Sequence, residues 1–431
     1  MSKVFDGREV ETVGGVTGDL LDVPCDCVEQ RQQHLGRNNT AHGSRELSRV
    51  FSLLATSFVL LFVRLQLQSH CFCDQQLRSA VGGRPSLSLA VSMNLLATSM
   101  KCIVYGDGIA SVQRQIPSSA TKGHVLVRVH AVGLNPVDAK NVVGDKLPFE
   151  SQWVTRYLRD KVIGFDFSGT VVEGAGFVAG DRIFGTMPPF HGSLAEYVLA
   201  PAHQVARMPQ VSFEEAAALP LVGLTALQCL SPHVSESTRI LVVGASGGTG
   251  HVALQAAKQL GASKIVAVAS QEEHCSGATH FVNYRSDGFL ERLATEGPYD
   301  VVLDCVTSGD PRDQTMDYPR LLQSYEPSLL TKDYVYRRLG GKTPDWIRAG
   351  LERTAGVGCW RDRHEKLFWI RFPHSSRELQ TLTEWVNDGK LKIKLEKVYD
   401  FSPEGVRDAF SALLSRRVRG KVVIKVRSDD S

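Results

Sequence analysis

The stretch RILVVGASGGTGHVALQAAKQLGASKIVAVAS, residues 239–270, constrains the fold of this chain more than any other. RILVVGA is a continuous run of branched apolar residues, the pattern of a strand buried on both faces of a parallel sheet. GTGHVALQAAKQLG reads as a helix with Val252, Ala253, Ala256, Ala257 and Leu260 on one side and Gly261 as its stop. KIVAVAS is a second strand. Gly244, Gly247, Gly248 and Gly250 stand between the first strand and the helix. Strand, glycine turn, helix and strand predict a dinucleotide-binding unit. One glycine allows the sharp turn, the next lets backbone N–H groups approach a pyrophosphate, and the last lets helix pack close to strand. The helix N-terminus then faces the anion.

A chain of 431 residues predicts two or three domains at roughly 100–200 residues each. The net charge of +3 gives no electrostatic footprint for nucleic acid. Nine cysteines include the C-x-C pairs Cys25/Cys27 and Cys71/Cys73 but no C-x-x-C, so neither a zinc ribbon nor a thioredoxin-like site is signalled. The odd count reads as reduced thiols in a reducing compartment, which implies a cytoplasmic location with a mitochondrial one as the alternative. Residues 1–98 lack sustained alternation and read as a poorly ordered extension. Asp6, Glu9, Glu11, Asp19 and Asp22 argue against a mitochondrial transit peptide. The apolar run FSLLATSFVLLFV, residues 51–63, falls short of the roughly 20 residues that span a bilayer. A short docked helix and a membrane anchor are the other readings of that run, and membrane association is not expected.

From residue 101 to about 205, short branched runs alternate with turns. HVLVRVHAVGL, residues 124–134, sets Val125, Val127 and Val129 against Leu126, Arg128 and His130 with period two. GTVVEGAGFVAGDRIFG reads as strand, turn, strand, and SLAEYVLA as another strand, which together predict a small β barrel. SFEEAAALPLVGLTALQCL then turns helical, with Ser212 and Glu215 spaced as a capping box. After the glycine unit, FVNY and DVVLDCV are further strands, DYVYRRLGG a fifth and LFWIRF a sixth.

A β barrel followed by such a unit resembles the medium-chain dehydrogenase/reductase superfamily, and within it the zinc-free quinone oxidoreductase branch. The residues carrying the resemblance are AVGLNPVDAK (131–140), GFDFSGTVV (164–172), AGDRIFG (179–185), GSLAEYV (192–198), AALPLVGLTAL (217–227), GASGGTG (244–250) and RGKVVIKV (419–426). The resemblance implies an α/β fold: a GroES-like barrel plus a Rossmann doubly wound parallel sheet. The expected divisions are 1–98 for the extension, 99–225 for the catalytic domain, 226–372 for the dinucleotide-binding domain and 373–431 for the return to the catalytic domain. The glycines also fit the G-x-x-x-G-x-G spacing of short-chain dehydrogenases. Those enzymes need a Tyr-x-x-x-Lys after the turn, and the one match, Tyr157 to Lys161, precedes it.

The resemblance implies hydride transfer from a nicotinamide to a quinone or to the β-carbon of an enone, by a homodimer acting on small molecules. Zinc relatives carry a catalytic Cys where this chain has Asn135. Cys102 is isolated and His191 reads as a loop residue, so no metal is expected. Asn135, Asp138 and Lys140 are the catalytic candidates: Asn135 to hydrogen-bond a carbonyl or cofactor hydroxyl, Asp138 or Lys140 to order a proton-delivering water. Cofactor contacts are expected from Thr225, Ser246, Gly247, Gly248, Thr249 and Gly250. NAD sites carry an acid about 20 residues past the glycines. Here Ser270 stands there, a neutral residue that admits a 2′-phosphate and points to NADPH. The resemblance also implies that Tyr284 approaches that phosphate and that Arg419 reaches the cofactor. Glu272 and Glu273 oppose that preference if they point inward. The connection QEEHCSGATH, residues 271–280, has room for one helical turn and contains no Lys or Arg. The runner-up activity is enoyl thioester reduction, and a non-catalytic cofactor-binding protein is the rival of another class.

Overall fold

The computed structural model describes residues 99–105, 108–118, 122–143, 159–188, 191–308, 313, 315, 317–322, 335–339, 366–367 and 375–427. The expected extension over 1–98, its apolar run at 51–63, Tyr157 and most of LFWIRF lie outside them. Strands β1 (Ser99–Tyr105) and β2 (Ile109–Gln115) open the described chain as an antiparallel hairpin. HVLVRVHAVGL becomes β3 (His124–Leu134), the central barrel strand. Val125, Val127 and Val129 enter the barrel core, and a register shift between Val129 and Ala131 changes the phase, so Val132 and Leu134 join the same core.

The barrel continues through helix α1 (Pro136–Val143) and strands β4 (Asp166–Gly174), β5 (Arg182–Thr186), β6 (Tyr197–Pro201) and β7 (Val205–Arg207). One helix was expected from 212 to 230, but two form: α2 (Phe213–Ala217) and α3 (Pro220–Leu230). The reason is Pro220, which has no N–H to continue α2 and is suited to the first turn of α3. The capping box of Ser212 and Glu215 is formed.

Next comes a six-stranded parallel sheet: β8 (Arg239–Val243), β9 (Lys264–Ala269), β10 (His280–Asn283), β11 (Val301–Asp304), β12 (Val335–Arg338) and β13 (Lys366–Leu367). Their spatial order, β10-β9-β8-β11-β12-β13, is 3-2-1-4-5-6 when counted from β8, the Rossmann order. Both faces are apolar, as the unbroken hydrophobic runs require. Ile240 and Val242 pack with α3 and with α4 (Gly248–Gln259), while Leu241 and Val243 pack with Leu293 of α5 (Phe289–Glu296). The crevice outside the carboxyl ends of β8 and β11, where the strand order reverses, is where such a sheet binds ligands.

The chain then returns to the barrel through α6 (Ser376–Asn387), β14 (Leu395–Asp400), α7 (Pro403–Leu414) and β15 (Lys421–Lys425). No strand pattern in the sequence marks β14. Its exposed residues and single half-buried face carry little apolar alternation. β15 runs antiparallel to β3 and parallel to β14, so the end of the chain closes the barrel.

Candidate active site

Three adjacent strands bring three polar residues to one end of the barrel. Asn135 follows the last residue of β3, Asp166 begins β4 and Lys421 begins β15. Register explains the meeting, because Val422 pairs with Leu134 and Ser168 with Ala131. Lys421 Nζ donates to Asn135 Oδ1 at 2.6 Å and to the Leu134 carbonyl at 2.9 Å, and lies 3.5 Å from Asp166 Oδ2. Asn135 Nδ2 donates to Asp166 Oδ2 at 2.9 Å. Asp166 Oδ1 accepts the Leu221 N–H at 3.0 Å, so this carboxylate also caps the first turn of α3 from outside the helix. Asp138 accepts the Asn135 N–H on Oδ2 at 2.7 Å, holding the start of α1, while its Oδ1 is buried without a partner.

All four side chains are buried. Burial raises the Asp138 carboxyl to about 7, helped by the Asp166 charge and opposed by the Asn135 N–H and by Lys421. Burial also raises Asp166, against the pull of Lys421 and its hydrogen bonds. The Lys421 amine is lowered by burial and held up by the two carboxyls. The cluster is therefore a buried centre in which one amine faces two carboxyls and the Asn135 amide has a fixed orientation. Both ends of that amide are engaged within the protein. Lys140 lies on α1, and its side chain is outside the described structure.

The glycine turn sits beside this cluster. Gly244 takes φ +76°, and a Cβ on Gly250 would lie 2.2 Å from the Gly244 carbonyl oxygen, so only glycine lets α4 approach β8 this closely. Gly247 caps α4 without a side-chain bond, and Ser246, Gly247, Gly248 and Thr249 are half-buried. The first N–H groups of α4 thus have no intrahelical acceptor and no capping side chain. That is the cradle an anion needs.

The end of the chain is fastened to the turn. Gly420 donates its N–H to the Ser246 carbonyl at 3.0 Å and bridges Gly247. A Cβ on Gly248 would meet Lys421 Cδ at 3.1 Å. From α4, His251 and Gln255 are one turn apart and grip the segment before β14. The Lys394 N–H donates to His251 Nε2 at 3.3 Å, and Gln255 exchanges bonds of 2.8 and 3.0 Å with Lys392. His251 Nδ1 faces the Gly247 carbonyl at 3.0 Å. Burial lowers its pKa to about 4, and the Lys421 and Lys394 charges act in the same direction. The ring is a neutral link between the turn and the C-terminal segment.

The outer residues lie at the carboxyl end of β9. Ser270 follows it, and the Tyr284 N–H donates to the Ala269 carbonyl at 3.3 Å. The 271–280 connection contains a single 3-10 turn, Glu272–His274, as its length required. Glu272 and Glu273 are exposed and do not point inward. Arg419 reaches the same connection, with Nη1 3.4 Å from His274 Nε2. Thr225 is half-buried on α3. Lys421, Asp166, His251 and Lys394 carry the geometry, yet nothing local in the sequence marks them for a role. Lys421 and Asp166 do stand inside the quoted motifs RGKVVIKV and GFDFSGTVV.

Comparisons with known proteins agree with this architecture. The family model described as alcohol dehydrogenase GroES-like domain matches residues 121–210, and that described as zinc-binding dehydrogenase matches 276–424. A zinc-type alcohol dehydrogenase-like protein of Schizosaccharomyces pombe is 30% identical over 331 residues, covering 72% of this chain and 90% of that one. A mitochondrial NAD(P)H oxidoreductase of Homo sapiens is 30% identical over 338 residues, covering 70% and 81%. The solved quinone oxidoreductase of Coxiella burnetii is 29% identical with a TM-score of 0.61, covering 76% of this chain and all of that one. This chain belongs to the medium-chain dehydrogenase/reductase superfamily of nicotinamide-dependent oxidoreductases, which includes quinone oxidoreductase-like members. Among the described residues no helix is long and apolar enough to cross a membrane, and no group of three or more His, Cys, Asp or Glu is arranged to hold a metal ion.

Proposed function

We propose that this protein is an NADPH-dependent reductase that delivers hydride to quinones or α,β-unsaturated carbonyls without a catalytic metal. One observation carries the reading. The uncapped glycine turn and the buried polar cluster meet at Gly248, where Lys421 packs on the turn. When bound, the nicotinamide supplies the hydride. Backbone N–H groups of Ser246, Gly248, Thr249 and Gly250 would hold the pyrophosphate, with Thr225 alongside, while Gly247 shapes the turn by giving its N–H to the Gly244 carbonyl at 3.1 Å. Ser270, Tyr284 and Arg419 face the 2′-phosphate, which a neutral Ser admits and a carboxylate would repel.

Asp138 keeps a proton up to about pH 7 and has an unpartnered Oδ1, so it is the group of this cluster suited to proton delivery at neutral pH. Lys421 and Asp166 orient Asn135 rather than react. Lys421 also bears on the metal. Its amine lies 2.6 Å from Asn135, the position of the catalytic Cys in zinc relatives, and an amine held there disfavours a dication. The odd cysteine count favours a reducing compartment such as the cytoplasm.

The test is titration of the full chain with NADPH and NADH by nicotinamide fluorescence, followed by turnover on a simple quinone and a short-chain enone, with and without a strong zinc chelator. Tighter NADPH binding and chelator-insensitive turnover are expected. Binding without turnover on either acceptor would leave a non-catalytic cofactor-binding protein. Loss of activity on chelation would overturn the metal-free reading.

A further inference from the structure

The connection from β9 to β10 supplies no Lys or Arg, yet the folded chain brings two cations to it from distant segments. Lys394 Nζ lies 2.6 Å from His274 Nδ1, and Arg419 Nη1 lies 3.4 Å from His274 Nε2. A neutral imidazole accepts at one nitrogen only, while Lys and Arg only donate. One of the two cations therefore faces His274 with donors that the ring does not take up. Nearby carboxylates do not fill the gap. Glu273 Oε1 is 3.8 Å from His274 Nε2 on a side chain 65% exposed, and Glu396 accepts the backbone N–H of Arg419 rather than its guanidinium. No ion pair of the Lys394 or Arg419 side chain occurs among the described residues.

The grouping is built rather than incidental. Lys394 is held by three backbone constraints. Its N–H bonds His251, its carbonyl accepts the Lys421 N–H at 2.9 Å, and a Cβ on Gly420 would lie 2.4 Å from that carbonyl oxygen. Gly420 takes φ +98°, which lets the chain turn between Arg419 and Lys421, so one side chain reaches His274 and the other the barrel. Gathering like charges is unfavourable unless an anion joins them. The end of β9 is where a Rossmann unit places the adenosine ribose. A phosphate monoester there offers three acceptor oxygens and nearly two negative charges.

We propose that Lys394, seated on His274 beside Arg419, determines the selection of 2′-phosphorylated over unphosphorylated dinucleotide. This rests on the NADPH reading above and names the residues that produce it. Lys394 acts from the C-terminal segment, in place of the cation that the short connection lacks.

The test uses the full chain and the variants Lys394→Gln, Lys394→Arg and His274→Gln. Affinities for NADPH and NADH are measured by fluorescence, and those for 2′,5′-ADP and 5′-AMP by calorimetry. Loss of one charge-assisted contact predicts that Lys394→Gln weakens NADPH and 2′,5′-ADP by about ten- to a hundredfold and leaves NADH and 5′-AMP within about twofold. Lys394→Arg is expected to keep most of the preference, and His274→Gln to lose part of it. If the wild-type chain prefers NADPH and Lys394→Gln keeps the same preference, this inference falls while the NADPH reading stands. An equal loss for both nucleotides would make Lys394 merely structural and overturn the inference. A wild-type chain that binds NADH as tightly as NADPH, or binds neither, overturns both.

Discussion

Two groups of charged side chains flank the same three residues, Arg419, Gly420 and Lys421, and they differ in their access to water. On the barrel side, Lys421 meets Asn135, Asp138 and Asp166 with every side chain buried. On the sheet side, Arg419 meets Lys394 and His274, all half-buried. The buried group balances one amine against two carboxyls and is internally hydrogen-bonded, apart from one Asp138 oxygen. The half-open group is cationic and lacks an internal counter-charge. Burial decides the outcome: a closed group must satisfy itself, whereas an open one can leave its charge for a ligand.

The strongest way to break this contrast is to remove the amine from each side. Lys421→Met leaves two buried carboxyls without their cation and is expected to lower stability by about 3–5 kcal/mol in urea unfolding. Lys394→Gln, on the open side, should stay within about 0.5 kcal/mol of the wild-type chain. Equal losses would show that the two groups do not differ in kind.

The next effect is in pH. Asp138 is raised from 3.8 to about 7, so the folded chain keeps a proton that the unfolded chain has released. That contribution is complete below the ordinary carboxyl pKa and is lost as pH rises through about 7. His251 runs the other way. Lowered from 6.5 to about 4, it contributes stability above 6.5 that is lost as pH falls through about 4. Asp138→Asn should therefore remove a decline in stability with rising pH, and His251→Gln should remove a rise. Each slope is at most ~1.4 kcal/mol per pH unit, read from urea midpoints across that range. Slopes unchanged in both variants would mean that neither group is buried as described.

A smaller loss is expected where the two sides join. Gly250→Ala forces a Cβ against the Gly244 carbonyl and should cost about 1–3 kcal/mol while weakening both nucleotides alike. Ser212→Ala, in the capping box remote from both groups, should cost about 1 kcal/mol and leave nucleotide affinity unchanged. A change in affinity there would point to general loosening rather than a local effect.

The parts of this arrangement that were legible in the sequence are the local ones. The glycine turn, the alternation of β3 and the apolar runs of the parallel sheet each follow from neighbours within a few residues. The break at Pro220 was visible too, but a continuous apolar pattern on both sides of it read as one helix. The charged groups were not legible, because their members are far apart. Lys421 and Asn135 are separated by 286 positions. Nothing local in GKLKIKLEK marks Lys394 as the neighbour of a histidine 120 residues earlier. Asn135 and Asp138 were singled out from their motif, but only the registers of β4 and β15 show which partners engage the Asn135 side chain.

The left-handed turn at Gly420 has a consequence for how the protein is made. Asn135 and Asp166 leave the ribosome well before Lys421, and at about 5–20 residues per second the 286-residue gap takes roughly 15–60 s. Throughout that time the nascent barrel lacks its closing strand, and the amine that balances its carboxyls has yet to be translated. The glycine turn also waits for Gly420, so its last clamp is translated after every strand of the parallel sheet. A ribosome that stalls before residue 420 therefore holds a chain with an almost complete parallel sheet, an open barrel edge and an unfinished nucleotide cradle.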